Sequence, residues 1–178
     1  MADGAVLDTS FLINLVDSNR PCHATACAYY RFFLENGMPM FLPTVVAAEF
    51  AVKQSITDLP LRNFIVLPFN LEDATCCAAL RWDLCRQTSG GTGNRDAVKD
   101  DFKIIAHTVG QNARCLVTED EETMGKYCDL LKQSGRVIFR LVPLLAGFDE
   151  ARVNQDGQST LRFGDAPPQT GQRPPQSA

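Results

Sequence analysis

Short apolar runs alternate with segments of helical periodicity along most of this 178-residue chain. The runs lie at residues 5–7, 40–42, 63–69, 113–118 and 137–142. Apolar residues at helical spacing fill the intervening segments, at residues 11–16, 23–36, 44 onward, 71–86, 97–109 and 121–133. Strands that alternate with helices form a parallel sheet covered on both faces. The sequence therefore predicts an α/β fold.

Four acidic residues stand where these segments meet. Asp8 directly follows the first run, and Asp120 comes two residues after the fourth. Glu49 falls in the second turn of the helix that begins at residue 44, and Asp101 lies near the start of the helix at 97–109. Ligands of parallel sheets bind at the carboxyl ends of the strands. Carboxylates are costly to bury alone and are preferred ligands of hard cations, so the four acids predict one cation site.

Each acid also has a purely structural explanation. Asp8 could simply cap the helix that follows it, because Asp is a favoured N-cap residue. Glu49 could be a solvated helix residue. Asp101 and Asp120 could complement the dipoles of the helices that they precede or begin.

The formal net charge of −4 gives the chain no overall attraction to phosphate. Binding of nucleic acid would therefore depend on bound metal and on local cations. Candidates are Arg95, Lys99 and Lys103 around the third acid, and Arg114 and Lys126 near the fourth. Of the two histidines, His107 is predicted to lie at the surface or its boundary rather than to act as a general base.

Composition and the ends of the chain suggest one domain in a reducing compartment. Seven cysteines are an odd number, and several fall within apolar helical patterns, which favours reduced thiols. No export leader or membrane-spanning run is seen, so we expect a cytoplasmic protein without a membrane partner. Residues 1–148 are predicted to form the domain, and residues 149–178 a flexible tail rich in Gln, Gly and Pro.

Four segments of the chain resemble the motifs of the PIN-domain ribonucleases, and in particular the VapC-like toxins of toxin–antitoxin pairs. In order, they are Val6-Leu7-Asp8-Thr9-Ser10, Pro43-Thr44-Val45-Val46-Ala47-Ala48-Glu49, Asp101-Phe102-Lys103-Ile104-Ile105-Ala106 and Leu116-Val117-Thr118-Glu119-Asp120. The resemblance covers roughly residues 4–145. It implies a three-layer α/β/α sandwich with a central, mainly parallel sheet, a Mg²⁺ or Mn²⁺ site, and endonucleolytic cleavage of RNA.

The resemblance also implies roles for individual side chains. The residues that would bind metal and act in catalysis are Asp8, Glu49, Asp101 and Asp120. Ser10 and Thr118 would support them by hydrogen bonds to carboxylates or to metal-bound water. The third motif offers two adjacent acids, and we assign the metal to Asp101 because this choice places Ile104 and Ile105 at the family's apolar offsets. Asp100 would then be a supporting or a solvated residue.

Two other functions compete with the nuclease. A non-catalytic PIN-like module could bind RNA or protein and use the acids only weakly. A phosphotransfer enzyme of the haloacid dehalogenase type needs a second aspartate two residues after the first, where this chain has Ser10. For the nuclease, the expected partners are an RNA substrate, an antitoxin protein and a second copy of the chain.

Overall fold

A computed structural model of the chain describes residues 3–80 and 95–154, and in this part five parallel strands form one sheet. The strands are β1 (Ala5–Leu7), β2 (Met40–Pro43), β3 (Ile65–Leu67), β4 (Cys115–Thr118) and β5 (Arg140–Pro143). Their order across the sheet is β3-β2-β1-β4-β5, and every neighbouring pair is parallel. The chain thus builds outward from β1 in one direction and then in the other. The point of reversal lies between β1 and β4, where sheets of this kind bind ligands.

Helices cover the sheet on both faces. They are α1 (Thr9–Val16), α2 (His23–Glu35), α3 (Thr44–Lys53), α4 (Leu71–Ala79), α5 (Arg95–Gly110) and α6 (Lys126–Gln133). Consecutive strand residues point to opposite faces, and every residue of β1 and β4 is buried, so both faces of the sheet centre are covered. α3 packs against α1 and α5, and α5 packs against β1 and β4. These contacts bring the helices that carry Glu49 and Asp101 to the central strands.

Most of the predicted elements are confirmed, and their boundaries differ where local chemistry intervenes. The strand predicted at 63–69 covers only Ile65–Leu67, because a 3₁₀ turn at Leu61–Asn63 precedes it and Pro68, which lacks an N–H, follows it. The last strand begins at Arg140 rather than at residue 137. The helix predicted at 121–133 opens with a π-helical turn, Glu121–Gly125. Of the helix predicted at 71–86, the part from residue 81 onward lies outside the described residues.

The core contains a set of fully buried aromatic side chains on the helices, namely Phe11, Tyr29, Phe33, Phe50 and Phe102. The apolar face predicted for the fifth helix is confirmed, since Phe102, Ile105 and Ala106 are buried and Val109 packs partly against them. α2 ends as predicted, with Gly37 just beyond it at a φ of 61°.

The ordered packing continues past the predicted domain boundary at residue 148. Val153 is fully buried, and the Arg140 guanidinium donates hydrogen bonds from Nη1 to the carbonyl oxygens of Ala151 and Asn154 at 3.0 and 2.7 Å. The 3₁₀ turn Glu150–Arg152 lies in this segment. Residues 149–154 therefore pack against the domain instead of starting a flexible tail, because one apolar side chain and two carbonyls find partners there. The remainder of the predicted tail lies outside the described residues.

The cysteines of the described ranges are free thiols, as predicted. Cys22, Cys115 and Cys128 are buried, and burial raises the pKa of both Cys115 and Cys128 to about 12. Within residues 3–80 and 95–154, no helix is long and apolar enough to cross a membrane.

Candidate functional site

Asp8 lies at the carboxyl end of β1, at the reversal point of the sheet, and is 7% exposed. Its backbone N–H donates to the carbonyl of Val117 at 3.1 Å, which extends the pairing of β1 with β4. Its Oδ2 accepts hydrogen bonds from Ser10 Oγ at 2.6 Å and Thr118 Oγ1 at 2.7 Å. Asp8 is also the N-cap of α1, through the Ser10 backbone N–H. The structural explanation of Asp8 thus holds, and the hydroxyls add a second function for the same carboxylate: they fix its orientation.

Thr118 links Asp8 to the fourth acid. Its buried hydroxyl oxygen accepts a hydrogen bond from the Asp120 backbone N–H at 3.0 Å while the same hydroxyl donates to Asp8. The Asp120 carboxylate accepts from the Thr123 backbone N–H at 2.8 Å and caps the π-helical turn. Because β4 lies beside β1, the two acids occupy adjacent strand ends, as the sequence predicts.

Glu49 reaches the site from α3. Its Oε2 accepts a short hydrogen bond from the Thr9 hydroxyl at the start of α1. Burial raises the pKa of Glu49, and the charges of Asp8 and Asp100 raise it further, whereas the bond from Thr9 and the charge of Lys103 oppose the rise. Glu49 is therefore not the solvated helix residue of the alternative explanation. Thr9 is a site residue that the sequence analysis missed.

Asp101 shows that the four acids influence one another. Burial, followed by the charges of Asp8, Asp120, Glu49 and Asp100 in that order, raises the pKa of Asp101 to about 8. A carboxylic acid with this pKa is mostly protonated at neutral pH. The structure thus brings Asp8, Glu49 and Asp120 within electrostatic range of Asp101.

The acids are close neighbours without forming a finished ligand set. Among the residues that the structure describes, no three His, Cys, Asp or Glu side chains are spaced to hold a metal ion. Burial and the charges of the other acids nevertheless raise the pKa of Asp101. The two findings are compatible, because charges act on a pKa over longer distances than those that separate the ligands of one metal ion.

Asp100 points to a cation on its own helix. Its Oδ1 accepts from Lys103 Nζ at 2.6 Å, and both side chains are about one-third exposed. Asp100 is thus held in an ion pair on its own helix, and the choice of Asp101 as the metal-binding acid stays a prediction.

A buried amide is the second feature that sequence analysis missed. Asn14 is fully buried on α1, and its Nδ2 donates to Glu119 Oε2 at 2.7 Å and to the Ser10 carbonyl at 2.8 Å. Its Oδ1 accepts from the Cys22 backbone N–H at 3.2 Å. The available signal was a lone amide inside the apolar run of α1, since a buried polar group needs partners.

Arg114 lies elsewhere than predicted, away from Asp120. Arg114 precedes β4 and thus sits at the amino end of the strand, where it pairs with Asp3 and donates to Asn154. It cannot line a groove beside Asp120, because the whole strand separates them. For Arg95, the side chain lies outside the described part of the structure.

His107 is fully buried, not at the surface. It lies between α4 and α5, with Nδ1 3.6 Å from Asp73 Oδ1 and its ring edge-on to Phe69. Burial lowers the pKa of His107, and the charge of Asp73 only partly offsets this. The prediction of a surface position was wrong because His107 lies on the same helical face as buried α5 residues.

Solved structures, but no family model or curated protein, are similar to this chain. No protein-family model matches the sequence, and the comparison with curated proteins gave no significant match. Among solved structures, 14 chains match. One, from the structure of VapBC2 from Rickettsia felis bound to a DNA fragment from their promoter, is 16% identical with a TM-score of 0.52 and covers 77% of this chain and 97% of that chain.

A second similar chain, from DNA-bound VapBC of Salmonella typhimurium, is 18% identical with a TM-score of 0.49 and covers 69% of this chain and 91% of that chain. The likeness to the Rickettsia felis structure and the parallel five-stranded sheet confirm the fold that the sequence resemblance implied. This chain has a PIN-like fold, a three-layer α/β/α sandwich with a central parallel sheet.

Proposed function

We propose that this chain is a metal-dependent endoribonuclease that hydrolyses RNA phosphodiester bonds with Asp8, Glu49, Asp101 and Asp120. The observation that carries the proposal is geometric: Asp8 and Asp120 lie at adjacent strand ends joined by the Thr118 hydroxyl, and Glu49 is hydrogen-bonded to Thr9, the residue after Asp8. Burial, and then the charges of these three acids, raise the pKa of Asp101 beside them. A protein gains nothing in stability from gathering like charges at a buried strand end. Such an arrangement is typical of functional sites, where perturbed pKa values cluster.

The donor set fits a hard divalent cation. Four carboxylates supply the oxygen ligands that Mg²⁺ and Mn²⁺ prefer, and the repulsion among them is what a cation would relieve. When bound, the metal would lower the pKa of an attacking water and stabilise the negative charge that develops on the phosphate. The four acids would hold it.

The remaining side chains orient these acids. Ser10 and Thr118 fix one oxygen of Asp8 by two hydroxyl hydrogen bonds, and Thr9 fixes one oxygen of Glu49. Supporting donors of this kind hold ligands in a productive orientation. His107 is buried against Asp73 and takes no part.

The same fold suggests the partners. One similar solved structure is a VapBC2 complex on promoter DNA, so we propose that an antitoxin-type protein binds this chain. We also propose that two copies of this chain can associate with each other. Such a partner would compete with RNA for the acidic site if it presented a basic side chain there.

Cleavage of labelled RNA tests the proposal. A panel of single-stranded RNAs is incubated with the protein in Mg²⁺, Mn²⁺ or EDTA, and wild type is compared with Asp8→Asn. Asn is also a good N-cap, so this change should leave α1 in place and remove only the charge. Asp149→Asn, the same substitution at an N-cap remote from the acids, is the matched control.

We expect metal-dependent cleavage by wild type and by Asp149→Asn, and none by Asp8→Asn. Equal cleavage by Asp8→Asn would refute the site. One observation favours the non-catalytic binding module, namely that no three described ligands are already in metal geometry. Calorimetry that detects no Mg²⁺ or Mn²⁺ binding at millimolar concentrations, with RNA still bound, would select that alternative.

A further inference from the structure

Arg20, in the connection between α1 and α2, contacts the residue that precedes Asp120. Its Nη2 lies 3.1 Å from Glu119 Oε2, and Glu119 is the residue before Asp120. The Arg20 side chain is 41% exposed, whereas that of Glu119 is only 19% exposed. The Arg20 side chain is therefore bound to Glu119 and partly open to solvent.

The carboxylate that holds Arg20 is itself fixed. Glu119 Oε2 also accepts a hydrogen bond from the buried Asn14 amide at 2.7 Å. The Glu119 backbone N–H donates to Ser10 Oγ at 2.8 Å, and Ser10 in turn donates to Asp8. A continuous chain of hydrogen bonds thus runs from the acidic site to Arg20.

The backbone around Arg20 is ordered as well. Its N–H donates to the Asp17 carbonyl at 3.1 Å, and its carbonyl accepts from the His23 N–H at 3.1 Å. The Asp17 carboxylate accepts from the backbone N–H and the side-chain amide of Asn19. The backbone that carries the side chain consequently has less freedom to lose when Arg20 binds a ligand.

Stability alone does not explain this arrangement. An exposed ion pair such as Arg20–Glu119 contributes on the order of 0–1 kcal/mol to stability. This small contribution does not account for a buried Asn14 amide that holds the Glu119 carboxylate. A guanidinium carries five N–H donors in a planar fork that matches a phosphate group. In the described contacts of Arg20, one guanidinium nitrogen, Nη2, donates a hydrogen bond, and its acceptor is Glu119.

We propose that Arg20 binds a backbone phosphate of the RNA strand that enters the acidic site, with Glu119 and Asn14 as its positioning residues. This inference rests on the proposed function, because it takes RNA as the ligand. The net charge of −4 gives no attraction to RNA, and the acids of the site would repel its phosphates. Arg20 would supply a fixed positive charge near these acids. Lys103, held by Asp100 on α5, is the corresponding cation on the side of Asp101.

The test is the salt dependence of RNA binding. A short fluorescent single-stranded RNA is titrated with full-length protein in Ca²⁺, from about 50 to about 200 mM salt, and gels check that the RNA stays intact. Each phosphate contact on a single strand contributes about 0.7 to the slope of log K against log salt. Arg20→Ala should lower the slope by that amount and weaken binding several-fold. Arg20→Lys should keep the slope but bind less tightly than wild type.

Arg62→Ala is the matched control, because this exposed arginine precedes the edge strand β3 and so lies at its amino end, whereas Asp8 and Asp120 follow the carboxyl ends of β1 and β4. It should bind like wild type. The positioning role is tested by a double-mutant cycle. Asn14→Ala should weaken binding when Arg20 is present and have no effect in the Arg20→Ala background.

Identical slopes for wild type and Arg20→Ala would overturn the inference, as would equal losses for Arg20→Ala and Arg62→Ala. Failure of the proposed function is seen separately, in the Mg²⁺ cleavage assay. A wild type that does not cut but shows the predicted change of slope would retain the phosphate contact and reject the nuclease. A wild type that cuts, with no change of slope, would do the reverse.

Discussion

Replacing Asp101 by Asn should make the metal-free protein less sensitive to pH. Asp101 has a pKa of about 8 in the folded protein, raised from 3.8 by burial and by the neighbouring acids. Between these values the folded state keeps a proton that the unfolded state has lost. The stabilising contribution of this proton is complete below the unfolded pKa and disappears as pH rises through the folded pKa. Asn carries no titratable group, so its variant lacks this loss.

The size of the effect follows from the shift. One bound proton changes the free energy of unfolding by about 1.4 kcal/mol per pH unit, so Asp101 alone would cost wild type about 3 kcal/mol between about pH 5 and about pH 7.5. Asp101 is partly exposed, and solvent screening reduces the figure. We therefore expect wild type to lose about 1–2 kcal/mol more than Asp101→Asn over this range.

Urea unfolding in EDTA measures this difference. Both proteins are unfolded at several pH values, and the free energies of unfolding are compared. Asp58→Asn, which removes an exposed carboxylate on the 3₁₀ turn Ile56–Asp58, is the control and should follow wild type. Parallel pH profiles for wild type and Asp101→Asn would refute the claim that the acids share one electrostatic environment.

Three further outcomes are expected. Burial lowers the pKa of His107, so the stability that it contributes should be lost as pH falls below about 6.5, and urea unfolding of His107→Phe should show less acid sensitivity. A chain ending at Phe148 should be about 2 kcal/mol less stable than one ending at Asn154, because Val153 leaves the core, as thermal unfolding would show; equal stability would contradict this packing. Mn²⁺ should raise the melting temperature of wild type more than that of Asp8→Asn in a calorimetric scan, and equal shifts would contradict binding at this site.

The sequence was sufficient for the features that depend on periodicity. Strand ends at Asp8 and Asp120 could be predicted because an apolar run followed by an acid is a local pattern. The parallel order of the sheet followed from the alternation of strands and helices. The apolar face of α5 followed from the spacing of Phe102, Ile105 and Ala106, and this spacing also supports the choice of Asp101.

Features that depend on contacts distant in the chain could not be predicted in this way. Thr9 meets Glu49 across 40 residues, and Asn14 meets Glu119 across 105 residues. Periodicity indicates that a residue is buried but does not identify its partner. The prediction for His107 was wrong for a related reason: a polar residue between the apolar and polar faces of a helix can point either to the core or to solvent.

The ends of elements were the other source of error. Val137 and Phe139 are buried, but they precede β5 and pack as part of a loop, so apolar character alone set the strand start too early. Composition likewise placed the domain boundary at residue 148, although Val153 packs into the core. In both cases an apolar residue shows burial without showing the backbone conformation.

The adjacent acids of α5 offer the most direct test of the central claim. Asp100→Asn and Asp101→Asn are the same substitution one residue apart on the same helix, and both can be assayed for RNA cleavage in Mg²⁺. Because Asp100 is paired with Lys103, whereas burial and the other acids raise the pKa of Asp101, we predict near-complete loss of cleavage for Asp101→Asn and substantial activity for Asp100→Asn. Full cleavage by Asp101→Asn, or loss in Asp100→Asn alone, would contradict the account.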